Sequence, residues 1–208
     1  DVLDRLGARE VWIGPDFRFG HGRRGDVAML RDLGAELGFS AHAIEPVLID
    51  GERVSSTRIR AALLAGDHAL ARSLLGRDFA IGGRVIHGQK LGRTLGYPTA
   101  NIALRKRLPP VHGIYAVRVS GAGLRDWPSV ASLGTRPTVN GRELLLEAHL
   151  FDFDGDLYGQ RLRVDFVGKI RDEARFANLD DLTARMHLVD IEARRILSES
   201  PSTQRELA

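Results

Sequence analysis

The sequence has 208 residues, of which 43% are hydrophobic, and its formal net charge is +3. This content supports one large or two small domains with a buried core and excludes global disorder. We find no apolar run of about eighteen residues that could span a membrane, and the scattered basic residues exclude a nucleic-acid-binding stripe. Cysteine is absent, which excludes disulfides and thiolate metal sites and fits a cytoplasmic protein.

The first part of the chain predicts a parallel α/β unit. The sequence opens on Asp1 rather than Met, so we expect a fragment or a processed product. Residues 9–14 predict a short buried strand, and residues 27–37 predict an amphipathic helix capped by Asp26. Residues 40–49 predict a second strand. Strand, helix and strand in this order indicate a parallel pair joined by a crossover.

Two further helices are predicted before residue 77. Residues 55–57 are Ser-Ser-Thr and can cap a helix that runs to about Ala65, and a second helix covers residues 67–75. Capping alone explains the triplet. The alternative is an anion site at the helix start that uses Arg58 and Arg60.

From about residue 78 the pattern changes to short alternating segments, which are typical of a small antiparallel barrel or sandwich. The predicted strands cover residues 79–86, 113–119, 129–133, 143–153 and 161–167. A helix over residues 179–197, capped by Asn178, closes the predicted fold. The change of pattern divides the chain into two domains, 1–77 and 78–208.

The stretch from Gly83 to Asn101 concentrates the candidate chemistry. Its glycines permit tight turns and close approach to a ligand, and successive N–H groups can form an anion site. Thr99 and Asn101 are two residues apart, so in an extended segment their side chains leave on one face. A hydroxyl and an amide oxygen there suit Mg²⁺ that is also held by phosphate. The alternative interpretation is a glycine-rich loop followed by an ordinary strand.

Glu147 is the candidate catalytic acid or base. By strand alternation it shares a face with Leu145, His149 and Phe151. A carboxylate on a largely apolar face is costly unless it is paired or used, and it could accept a proton from a substrate hydroxyl. Two alternatives stay open: Glu147 as a surface acid paired with an arginine, and His149 as the base.

Taken together, these motifs resemble the riboflavin kinase module from about residue 78 to residue 197. The matching segments are residues 83–101 with their Pro-Thr-Ala-Asn end, 113–115, 133–138, the strand around Glu147, 156–159 and 170–173. The first domain resembles the later part of the FAD synthetase (FMN adenylyltransferase) module that precedes this kinase in bacterial bifunctional enzymes. Residues 14–20 and 55–60 carry that second resemblance.

The resemblance implies a fold and a reaction. The fold is an α/β remnant of a Rossmann-like nucleotidyltransferase domain followed by a small antiparallel β-barrel with a C-terminal α-helix. The reaction is riboflavin + ATP → FMN + ADP, with Mg²⁺ as cofactor. Glu147 would deprotonate the ribityl 5′-hydroxyl, and Thr99 and Asn101 would ligate Mg²⁺. The residues implied to bind nucleotide, metal or flavin are Gly83, Gly88, Lys90, Gly92, Arg93, Gly96, Pro98, Thr99, Asn101 and Arg171.

One departure concerns the first module. The sequence has no Gly-x-Phe-Asp-Gly-like turn and no His-x-Gly-His-like motif, and His21 lacks the second histidine. We therefore expect that these residues do not adenylate FMN efficiently.

Three alternatives to kinase activity remain: FMN adenylyltransferase activity of the parent bifunctional enzyme, a non-catalytic flavin- or nucleotide-binding module, and an RNA-binding barrel. The aromatic content of 6% disfavours the last. The expected partners are riboflavin or FMN and ATP or ADP, with no nucleic acid and no membrane. The sequence leaves the oligomeric state open.

Overall fold

A computed structural model of the chain describes residues 5–88, 91–104, 109–138, 141–174, 176 and 178–200. Its contacts group the chain into two compact units, Asp1–Val54 and Ser55–Ala208. The first unit is small, and the second contains a β-barrel.

The first unit contains the parallel strand pair that the sequence predicts. β1 (Glu10–Ile13) pairs in parallel with β2 (Ser40–Ala43), and α1 (Val27–Leu37) connects them. Asp26 caps α1 by accepting a hydrogen bond from the backbone N–H of Met29 at 3.0 Å. A small apolar cluster of this unit is formed by Leu30, Phe39 and Ala41.

The predicted second strand is wrong in its extent. β2 ends at Ala43, and residues 48–53 form a separate antiparallel pair, β3 (Leu48–Ile49) and β4 (Glu52–Arg53). Pro46 lies between β2 and β3. Proline has no backbone N–H to donate to a ladder, which explains why the extended pattern of the sequence does not continue as one strand.

Two short helices open the second unit. α2 (Ser56–Ala65) is capped by Ser55, whose hydroxyl accepts from the N–H of Arg58 at 3.2 Å, and α3 (His68–Leu75) follows. Residues of both helices, Ala62, Leu63 and Ala71, belong to the same apolar cluster as the barrel interior. These contacts group the helices with the barrel, while the boundary near residue 77 remains a prediction.

The barrel confirms the antiparallel β architecture expected from residue 78 onward. Its strands are β5 (Phe79–Ile86), β6 (Ala100–Ile102), β7 (Gly113–Gly121), β8 (Leu124–Thr138), β9 (Gly141–Leu150) and β10 (Arg161–Arg171). Within the described residues they close in the order β10–β5–β6–β9–β8–β7. Two helices complete the unit, the single-turn α4 (Leu91–Thr94) and the long α5 (Leu179–Glu199).

Two predicted strands have different limits in the structure. β8 is much longer than the predicted 129–133 segment, because it continues as a pair with β9 to Thr138. The predicted strand over 143–153 ends at Leu150 instead. Asp152 has a φ of +53°, a left-handed conformation that an extended strand does not adopt.

β9 has a buried face and a partly exposed face. Leu146, Ala148 and Leu150 point into the barrel and are at most 5% exposed. The residues between them alternate to the outside, as strand geometry requires. α5 covers the outside of the barrel through an apolar cluster that includes Val189, Ala193 and Leu197. None of the helices in the described part of the chain is long and apolar enough to cross a membrane.

Candidate active site

The pairing of β6 with β9 brings the predicted metal ligand and the predicted base together. Asn101 lies directly opposite Glu147 in this antiparallel pair. Directly opposed residues have Cα atoms about 4.5–5.5 Å apart, and their side chains lie on the same face of the sheet. The sequence could not give this register, because 46 positions separate the two residues in the chain.

The side chain of Asn101 has an unusual environment. It is only 5% exposed, and its Oδ1 has no hydrogen-bond partner among the residues that the structure describes. Gly88 lies directly against this side chain. A Cβ at position 88 would collide with the Asn101 amide, so only glycine fits there. A buried acceptor without a partner is costly. The site therefore suits a ligand or cation that Oδ1 can bind.

The donor set around Asn101 fits a hard cation held mainly by neutral oxygens and phosphate. Over the described ranges, no group of three or more His, Asp or Glu side chains is arranged to hold a metal ion. Mg²⁺ commonly binds through few protein ligands and completes its coordination with water and substrate phosphates. Thr99 and Asn101 therefore fit Mg²⁺ in that role.

A cavity of about 430 Å³ lies on the outer face of β9 and is also bordered by α5. We call it the helix-side cavity. Its apolar lining consists of Leu95, Ile114, Val130, Ala131, Leu145, Ala174, Phe176, Leu182, Met186 and Val189. Its other lining residues are Gly92, Tyr97, Thr99, Ser132, Gly134, Glu147, His149, Arg171, Glu173 and Asp190. An apolar cavity of this size with a few polar groups is typical of small-molecule sites.

A second cavity of about 520 Å³ is also bordered by Thr99. We call it the loop-side cavity. It is lined by Val85, Arg93, Pro98, Thr99, Ala100, Leu150, Phe153, Asp154, Gly155, Asp156, Leu157 and Tyr158. Thr99 lines both cavities, so this residue lies where two bound molecules could meet.

Arg171 provides positive charge at the helix-side cavity. Its Nη1 donates to the carbonyl of Asp172 at 2.8 Å, but its buried Nε has no partner among the described residues. Burial lowers the pKa of this guanidinium, and the nearby Arg185 lowers it further. A poorly solvated guanidinium with a spare donor favours an anionic group nearby.

Asp190 on α5 provides a carboxyl group at the same cavity. Burial raises the pKa of its carboxyl group, while His149 and Arg194 act in the other direction. Burial also raises the pKa of Tyr97, with a further contribution from the charge of Asp190. His149 lines the same cavity and places its Nδ1 2.8 Å from the carbonyl oxygen of Pro98. These groups form a polar end of a mainly apolar cavity.

The glycine-rich segment contains a short helical turn, and its role as an anion site remains a prediction. Residues 91–94 form the single helical turn α4, and the N–H groups of Leu95 and Tyr97 donate to the carbonyl of Gly92 at 3.1 and 2.8 Å. These N–H groups are therefore engaged within the segment. Gly92 permits the turn because a Cβ there would collide with the Tyr97 carbonyl, and Gly96 has a φ of +82°.

The remaining predicted site residues lie in several places. Gly83 is within β5, where a Cβ would collide with the carbonyl of Ala103, and it is absent from the described lining of both cavities. Arg93 and Pro98 line the loop-side cavity. Lys90 lies outside the described residues. The ligand-binding roles assigned to these residues remain predictions.

Sequence reasoning missed Asp190 and did not single out one aromatic residue as the stacking partner of a bound ring. Asp190 lies one helical turn after Met186, which itself follows Leu182 by one turn. An acid that continues an apolar stripe at this spacing is the signal that could have revealed it. The aromatic side chains that line the helix-side cavity are Tyr97 and Phe176.

Comparison with known proteins gives two family matches. Residues 75–197 match the model described as riboflavin kinase, and residues 1–58 match the model described as FAD synthetase. The bifunctional riboflavin kinase/FMN adenylyltransferase of Escherichia coli (strain K12) is 50% identical over 193 residues, which cover 93% of this chain and 62% of the relative. The protein of the same description from Pseudomonas fluorescens is 48% identical over 98% of this chain and 65% of the relative.

A solved structure is also similar. It is described as the crystal structure of a macrolide-efflux protein from Streptococcus pneumoniae, with a TM-score of 0.73 and 32% identity. The match covers 92% of this chain and 62% of that chain. The chain thus spans less than two thirds of the length of these relatives.

Proposed function

We propose that this chain, which belongs to the riboflavin kinase family, transfers the terminal phosphoryl group of ATP to the 5′-hydroxyl of riboflavin. The products are FMN and ADP. The observation that carries the proposal is the direct pairing of Asn101 with Glu147, beside a threonine that lines two cavities. Two substrates need such a junction, because phosphoryl transfer depends on bringing the acceptor and the phosphate together.

The two cavities suit the two substrates. The helix-side cavity has the apolar lining that the flat ring system of riboflavin needs, and Glu147 lies within it. ATP would occupy the loop-side cavity, where Arg93 supplies positive charge. The terminal phosphate would then reach the acceptor hydroxyl beside Thr99.

Glu147 would act as the general base. Its carboxylate accepts the proton of the 5′-hydroxyl while that oxygen forms a bond to the terminal phosphorus and the bond to the ADP oxygen breaks. Arg171 would stabilise negative charge at the helix-side cavity through its spare Nε–H. Mg²⁺, held by the Thr99 hydroxyl and Asn101 Oδ1 together with phosphate oxygens, would neutralise phosphate charge when bound.

The test is product formation by the purified chain. We expect riboflavin, ATP and Mg²⁺ to yield FMN and ADP in equal amounts, and chelation of the divalent cation to stop the reaction. The matched control is 5′-deoxyriboflavin, which keeps the ring system but lacks the acceptor hydroxyl. It should bind, inhibit the reaction and give no phosphorylated product.

The same assay separates the alternatives. Flavin binding without any turnover would indicate a non-catalytic binding module and overturn the kinase. Formation of FAD from FMN and ATP would indicate adenylyltransferase activity, which we predict to be inefficient in these residues. The cytoplasmic location expected from the composition stays a prediction.

A further inference from the structure

The backbone pairing of β6 with β9 stops before Pro98, and a side-chain hydrogen bond takes its place. The backbone register of this pair ends at Ala100, which lies opposite Ala148. Pro98 has no N–H with which to extend a ladder. Beyond that point a side chain joins the two segments, because Nδ1 of His149 lies 2.8 Å from the Pro98 carbonyl oxygen.

This contact fixes the position of a proton. A backbone carbonyl oxygen can only accept, so Nδ1 of His149 carries the hydrogen and donates it. Tyr97 contacts the imidazole edge-on, with ring centroids 5.3 Å apart, and Asp190 faces it from α5. Because Nδ1 donates to Pro98, it does not exchange a proton with a substrate, and only Nε2 of His149 is left to accept one.

The hydrogen bond connects the two halves of the proposed site. His149 follows Glu147 by two residues, and both side chains line the helix-side cavity. Pro98 directly precedes Thr99, which lines both cavities. A displacement of the Pro98 carbonyl would therefore move the hydroxyl of Thr99 relative to the carboxylate of Glu147.

We propose that His149 is a positioning residue that holds Thr99 in place relative to Glu147 through its hydrogen bond to Pro98. This inference rests on the proposed kinase function. It assigns His149 no contact with the reacting atoms. A misplacement of about 1 Å in a catalytic arrangement can reduce the rate by up to about 100-fold, so one hydrogen bond at this place has kinetic consequences.

The test compares three substitutions with different donors. In His149→Phe a ring remains without a donor, whereas in His149→Asn an amide N–H lies near the original Nδ1 position. In His149→Gln the amide lies one carbon farther out. We expect His149→Phe and His149→Gln to lower kcat and to raise the Mg²⁺ concentration for half-maximal rate, each by roughly three- to tenfold. His149→Asn should restore most of both values.

Two further measurements separate positioning from a general loss of structure. Riboflavin affinity, measured by quenching of flavin fluorescence, and the melting temperature should be nearly the same in His149→Asn and His149→Gln. The matched control is His21→Phe, at an exposed histidine of the first unit, which should retain wild-type kinetics. Equal activity of the Asn and Gln variants would overturn the proposal.

The proton position gives a readout that does not depend on turnover. Long-range ¹H–¹⁵N correlation of the full chain, with the His149 signal assigned by its loss in His149→Phe, should show a hydrogen on Nδ1. A spectrum with Nδ1 unprotonated overturns the hydrogen bond. Absence of FMN formation by the wild-type chain overturns the proposed function, whereas wild-type kinetics of His149→Phe overturn only the role of His149.

Discussion

The inner and outer faces of β9 perform different tasks within a single strand. On the inner face Leu146 and Ala148 are fully buried in the barrel core, whereas on the outer face Glu147 and His149 line a cavity. The apolar face stabilises the strand, and its rigidity then holds the polar face in register with β6. A catalytic group on a strand between core residues is therefore placed more accurately than one on a free loop.

The largest expected effect is a loss of kcat on substitution of Glu147 on the outer face. Glu147→Gln keeps the size of the side chain but removes the base, so we expect kcat to fall by about 10²–10⁴-fold. The melting temperature should change little. Steady-state FMN formation measures the first effect and thermal unfolding the second.

Glu36→Gln is the matched control for that variant, because Glu36 is an exposed acid on α1. It should behave as wild type in both measurements. Retention of most of the turnover by Glu147→Gln would show that another group accepts the proton.

The inner face should show the reverse pattern. Leu146→Ala removes a fully buried side chain and should lower the free energy of unfolding by about 2–5 kcal/mol. Urea denaturation measures this change. At a temperature where the variant remains folded, its kcat should stay close to wild type. A large loss of kcat in the folded variant would contradict the division of the two faces.

A smaller effect, on the Mg²⁺ requirement, is expected from a substitution beside Asn101 of β6, the strand that pairs with β9. Gly88→Ala would push a methyl group into the Asn101 amide, so we expect the Mg²⁺ requirement to rise by about 10- to 100-fold. Titration of the initial rate with Mg²⁺ measures it. Gly14→Ala is the matched control, because a Cβ there meets nothing within 4 Å. Equal Mg²⁺ dependence of the two variants would show that the contact of Gly88 with Asn101 does not affect Mg²⁺ binding.

The smallest effect concerns the acid across the cavity. Burial raises the pKa of Asp190 above its ordinary 3.8, so the folded state holds this proton more tightly than the unfolded state and loses stability as the pH rises from 3.8 through the folded pKa. Asp190→Asn removes that loss. We expect a slightly higher melting temperature than wild type near neutral pH, with the gain disappearing below the ordinary pKa.

The pH dependence of the melting temperature measures this effect. A variant that is less stable than wild type at neutral pH would show that the ionised Asp190 makes a net stabilising contact, contrary to the direction of its pKa.

The sequence was most informative where local rules decide the structure. Asp26 and Asn178 cap their helices as predicted, and Ser55 is the cap among the three candidates at residues 55–57, because a short polar side chain at that position satisfies a free N–H. Alternation also placed Glu147 and His149 on one face correctly. These features depend on neighbours within a few residues.

Features that depend on residues far apart in the chain could not be predicted from the sequence. The pairing of Asn101 with Glu147 depends on barrel register, and the interruption after Ala43 depends on how the chain turns around Pro46. The helical turn at residues 91–94 was also not predicted from the sequence. Asp190 was missed although it continues the helical spacing of Leu182 and Met186, because that spacing does not show that this face of α5 borders a cavity.

Thr99 has a practical consequence for enzymology. Because this one side chain borders the spaces assigned to both substrates, a substitution there will shift the apparent KM of riboflavin and that of ATP together. Kinetic dissection of the two sites should therefore start from residues that touch a single space, such as Leu145 for the flavin and Tyr158 for the nucleotide.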